Sequence, residues 1–133
     1  MIGMNINTQR HGPALRHIDD CKRMLPAGVA PVDLGPLAED GGFACTVLAS
    51  PTAVRAMVQS AMLRRPQAVA SDLIQQLSDI RNVSGDEPDV ASFTIERDLD
   101  DGTLQELWVH QNLRASPPFV FLMEPEPAPG DPN

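Results

Sequence analysis

SFTIERDLDDGTLQELWVHQ, residues 92–111, consists of two alternating segments around an Asp-Gly step. Asp101-Gly102 supplies the positive φ angles of a two-residue type I′ turn, so the stretch predicts a β-hairpin. With Asp100 opposite Thr103, one face stacks Leu99 on Leu104, Arg97 on Glu106, Ile95 on Trp108 and Phe93 on His110. The other face carries Thr94, Glu96 and Asp98 opposite Val109, Leu107 and Gln105. In this register the apolar pairs agree with one pair of opposite charges.

Downstream, an Ala115-Ser116-Pro117-Pro118 linker leads to a last short apolar strand, Phe119 to Met123. The tail EPEPAPGDPN, residues 124–133, holds four prolines and three acids in ten positions. It is expected to stay extended and disordered, because prolines deny it ladder hydrogen bonds and it has no apolar side to pack. Upstream, residues 83–89 are turn chemistry, and residues 67–82 have helical periodicity. There Val69, Leu73, Leu77 and Ile80 share one side, while Ala70 and Ile74 widen the apolar arc to roughly 140°.

Ser50 before Pro51 marks a helix start: a serine N-cap accepts an orphan amide hydrogen bond, and proline at the first helical position has no amide to lose. Val54, Met57, Val58 and Ala61 form the inner stripe of this helix, which runs to about Arg64 before Pro66. Phe43 to Ala49 is too short for a helix and reads as a buried strand. Residues 27–42, AGVAPVDLGPLAEDGG, carry two prolines and four glycines and read as a long loop. A first helix is expected from Pro13 to Leu25, with Leu15, Ile18, Lys22 and Leu25 as its stripe, and Pro26 closes it. Residues 1–12 have no period and are expected to be a mobile arm.

The expected fold is therefore a single two-layer α+β domain over residues 13–123. It has about four mostly antiparallel strands, with the hairpin towards the C-terminus and two central helices packed on one face.

Composition narrows the function classes. Of 133 residues, 42% are apolar, but aromatics are only four Phe and one Trp, so aliphatics and six Met fill the core. No apolar run approaches the roughly 20 residues a membrane span needs, and the N-terminus lacks a signal peptide's apolar stretch. Two cysteines, Cys21 and Cys45, form neither a disulfide framework nor a zinc pattern and suit a reducing compartment, so a cytoplasmic location is expected.

The net charge of −8 is uneven: residues 1–81 carry 8 basic and 7 acidic groups, whereas residues 82–133 carry 2 basic and 11 acidic. An acidic half repels phosphate, which argues against direct nucleic-acid binding and against anionic membranes. It also fits a partner protein with a basic surface.

Candidate chemistry is sparse. His17 and Cys21 stand four apart on the first predicted helix, with Asp20 beside them, but no second ligand set matches them, so no metal is expected. His110 at a strand end and Cys45 in apolar company lack the partners that acid-base or nucleophilic work needs. Ala38 to Gly42 has glycines without a phosphate-binding frame. Asp98, Asp100 and Asp101 match a calcium loop only in charge. No catalytic residue and no cofactor is expected.

The apolar excess is more informative. Leu63 points about 200° from Ala61 on the helix wheel, and Met62 flanks the inner stripe. With Ile74 and Leu77 on the wide arc of the next helix, they form a candidate partner surface, the competing reading being a second core layer under residues 27–42. The sequence thus points to a non-enzymatic regulator or adaptor that sequesters another protein, such as an antiactivator of a bacterial transcription factor, working as a homodimer. A chaperone of the type III secretion kind fits in size and acidity, although its expected element order differs. A small-molecule-binding domain or an unrecognised enzyme, with a pocket near Cys45, Trp108 and His110, is the reading from another class.

Overall fold

Phe119–Met123 reads FVFLM, apolar at every position, and a strand without a polar face has to be covered on both sides. In the computed structural model, which describes residues 4–7, 15–98 and 104–124, this strand lies inside a six-stranded sheet. The elements are β1 (Met4–Asn7), α1 (Asp20–Arg23), β2 (Val32–Asp33), α2 (Gly35–Asp40), β3 (Thr46–Ala49), α3 (Pro51–Arg64), α4 (Val69–Asp86), β4 (Val90–Asp98), β5 (Leu104–Asn112) and β6 (Phe119–Met123). Strand order is β1-β4-β5-β6-β3-β2. β6 pairs antiparallel with β5 and parallel with β3.

The α+β expectation holds, with α2, α3 and α4 packed on one face of the sheet. Val47, Phe93, Ile95, Leu107, Val109, Val120 and Leu122 meet Ala38, Ala53, Met57, Leu77, Ile80 and Val83 there. The opposite face is covered too: Trp108, Phe119, Phe121 and Met123 pack with Cys21, Leu15, Ile18, Met24 and Leu25. All five side chains of β6 are buried, each contributing on the order of 1.5–3 kcal/mol.

That second covered face explains a correction to the hairpin. Ile95 pairs with Leu107, Trp108 with Thr94, and Asp98 with Leu104, one residue out of step with the expected register. Ile95 and Trp108 therefore lie on opposite faces of the sheet. In the observed register Phe93, Ile95, Leu107 and Val109 all face the helices, while Trp108 and His110 join Phe121 and Met123. The expected register assumed one apolar face and took support from Arg97 opposite Glu106. The ladder instead sets Glu96 opposite Glu106 and Arg97 opposite Gln105. The Asp101-Gly102 turn lies outside the described residues.

Two strands more than expected complete the sheet edges. Within the arm of residues 1–12, Met4–Asn7 pairs antiparallel with β4. Within the stretch read as loop, Val32–Asp33 pairs with β3 and Gly35–Asp40 is helical. Asp33 accepts a hydrogen bond from the Gly35 amide at 2.8 Å, an Asx turn that leads into Pro36 in the first helical turn.

The first helix is shorter than expected, a single turn from Asp20 to Arg23, and its inward side chain is Cys21; Lys22 is exposed. Leu15, Ile18 and Leu25 do pack inward. Asn112 Nδ2 ties this segment to the sheet by donating to the Leu15 carbonyl at 3.0 Å. Residues 125–133 of the expected tail lie outside the described residues.

Candidate functional site

α3 begins as the sequence reading expects. Ser50 is extended, at φ −66° and ψ 150°, and its Oγ accepts from the Ala53 amide at 3.0 Å. Met57, Ala61, Ala53 and Ser60 are buried along its inner side, with Val54 and Val58 half-buried. In its last turn the helix carries an exposed apolar pair: Met62 is 56% and Leu63 67% exposed. Among the described residues these are the most exposed large apolar side chains.

The corner behind this pair is held by a buried polar network. Asp72, in the first turn of α4, is fully buried. Its Oδ2 accepts from Gln76 Nε2 at 2.9 Å, and the same amide donates to the Met57 carbonyl at 3.1 Å. Asp72 Oδ1 has no hydrogen bond, but it lies 4.0 Å from Arg64 Nε and 3.9 Å from Arg65 Nε. Two guanidinium groups are thus drawn to one buried carboxylate, which fixes the chain where α3 turns into α4. Removing one side of such a pair leaves an uncompensated buried charge. Periodicity does not find Asp72, since it treats a carboxylate on a helix as a solvent group.

The other two residues of the expected surface lie elsewhere. Leu77 is 1% exposed and belongs to the core, and Ile74 is half-buried. The wide arc of α4 is used by α2: a Cβ added at Gly41 would come 3.2 Å from Leu77 Cβ and 3.3 Å from the Ile74 carbonyl. A side chain there would be tighter than ordinary contact, and α2 or α4 would have to give by a few tenths of an ångström. Of the four candidates, Met62 and Leu63 share an exposed corner, and Leu77 is corrected to a core residue.

The candidates for chemistry are not brought together. His17 Nδ1 accepts from the Asp19 amide at 3.1 Å, while Cys21 points into the second core. Burial, with the Asp20 charge second, pushes the Cys21 thiol up to about 12. Amides of His17 and Arg16 donate to the Asp20 carboxylate and hold its pKa below the ordinary value. His110 is buried against the Trp108 ring, 4.8 Å between centroids, with Ser92 Oγ 2.7 Å from its Nδ1. This lies on the sheet face away from α2, α3 and α4, so His110 and Trp108 do not share a pocket with Cys45.

Cys45 instead separates two surface clefts at the end of β3. One, of about 480 Å³, lies between the residue 42–45 segment and the C-terminal part of α4, with Arg81, Leu113 and Pro118 among its walls. The other, of about 660 Å³, is bordered by Asp33, Glu39, Thr46 and Pro117. Phe43, Ala44, Cys45 and Pro118 line both. Burial raises the Cys45 pKa, which keeps its thiol neutral and weakly nucleophilic. Among the described residues no helix is long and apolar enough to cross a membrane.

In comparisons with protein families, with curated proteins and with solved structures, nothing matches this chain.

Proposed function

We propose that this chain is a non-catalytic regulator or adaptor that sequesters a partner protein in the cytoplasm, gripping it through the end of α3 at Met62 and Leu63. The observation that supports this reading most directly is the exposure of these two adjacent side chains, 56% and 67%, on a corner fixed by Asp72. Exposed apolar side chains on a folded helix gain burial on docking at the cost of side-chain ordering alone, and methionine adapts to varied partner shapes. An antiactivator that masks a transcription factor is one form of this function, and self-association as a homodimer through the same corner is part of the proposal. The acidic residues 82–133 would steer a basic partner towards the chain without supplying the grip.

The test is capture from the native host with wild-type protein and with Leu63→Glu, followed by mass spectrometry, light scattering and circular dichroism. A charge at position 63 should abolish capture of a specific partner and reduce any self-association, while helicity is retained. Equal capture and equal mass for both proteins would reject this surface.

A further inference from the structure

We propose that the cleft between residues 42–45 and the C-terminal half of α4 binds a small monocarboxylic acid with a hydrocarbon body. Its volume of about 480 Å³ falls in the range of small-molecule sites. Phe43, Cys45, Leu113 and Pro118 give it an apolar lining. Arg81 supplies a cation at the same cleft, and among the described residues no ion pair engages it.

The position of Arg81 depends on Gly42, which sits at φ +97°. A Cβ there would lie 3.2 Å from Arg81 Cδ and 3.3 Å from Nε. The missing side chain leaves room for the exposed arginine to lie over the Gly42 backbone, which puts its guanidinium at the edge of the cleft. A planar, always-charged guanidinium next to an apolar wall matches a carboxylate joined to hydrocarbon. Asp86 also lines the cleft, and its charge opposes each added negative charge on a ligand, which favours a singly charged acid over a diacid. The neutral Cys45 thiol adds no opposing charge. This site is separate from Met62 and Leu63, and neither proposal depends on the other.

The experiment is an NMR amide titration of the full chain with octanoate and, at matched ionic strength, with octanamide. Octanoate should give saturable shifts at residues 42–45, 81–86 and 113, and octanamide should bind about tenfold more weakly, since it forfeits the charge-assisted pair. Arg81→Gln should bring octanoate down to the affinity of octanamide, and Arg81→Lys should recover only part of the difference. No saturation, equal affinity for the acid and the amide, or unchanged octanoate binding by Arg81→Gln would each overturn the site. The acid-amide comparison needs no variant, so it decides even if a substitution perturbs the fold.

Discussion

Ser50 and Glu124, 74 residues apart in the chain, meet at the amino end of α3, where the Ser50 hydroxyl donates to Glu124 Oε2 while accepting from the Ala53 amide. The carboxylate thus lies beside the positive end of the helix dipole. Ser50→Ala should lower unfolding free energy by about 1 kcal/mol through loss of the cap. Glu124→Gln should cost less, about 0.3–1 kcal/mol, by removing the charge. Urea denaturation of both variants checks this. Truncation after Glu124 should leave the midpoint close to wild type, whereas truncation after Met123 should show the Glu124 loss.

The observed register makes Trp108 part of the second core, against Met123 and opposite Thr94. Trp108→Ala should cost about 3–5 kcal/mol as a large-to-small change. Combined with Phe121→Leu, a neighbour in the same cluster, it should be non-additive, whereas Trp108→Ala with Ile95→Val should be close to additive, because Ile95 lies across the sheet. Denaturant-derived stabilities of these double variants distinguish the observed register from one that pairs Ile95 with Trp108.

Glu96 facing Glu106 is a like-charge pair across the ladder. Glu106 is exposed, so Glu106→Lys should convert repulsion into attraction and stabilise by about 0.2–1 kcal/mol at low salt. Adding salt should shrink the gain. A thermal melt at two ionic strengths is sufficient, and a loss of stability at low salt would contradict the pairing.

Cysteine reactivity offers a check on both sheet faces. Cys21 is fully buried and its thiol is pushed up to about 12, so at pH 8 it should resist iodoacetamide until the chain unfolds. Cys45 is half-buried with a raised pKa and should react slowly in the native state. In both cases the rate should rise with pH as thiolate forms. Mass spectrometry should find single labelling, at Cys45, before double labelling.

The sequence made α3 legible because Ser50-Pro51 and the stripe ending at Ala61 are local signals. The strands of the hairpin were legible for the same reason. Their register was not, because residues 15–25 cover the second face of the sheet and alternation then ceases to separate inside from outside. β1 and β2 are edge strands of 4 and 2 residues, specified by their partners rather than by their own pattern. At the candidate surface, the exposure of Leu63 followed from helix geometry alone. Leu77 was misplaced because its cover is α2, which lies within a segment whose glycines and prolines read as loop. Arg81 was passed over, since a lone arginine on a helix has no signature until Gly42 is seen beneath it.

The position of β6 carries a consequence for the order of assembly. It is the latest strand in the described chain and the central joint of the sheet: β1, β4 and β5 attach on one side, β3 and β2 on the other. Among the described strands neither group pairs with the other except through it, and its parallel pairing with β3 spans the whole α3, α4 and hairpin segment. Until residues 119–123 have been synthesised, the chain can form only two unjoined half-sheets, each with an open strand edge. Such non-local closure is slow relative to helix formation. During that interval the apolar faces and unpaired edges would be available to chaperones, or to one another.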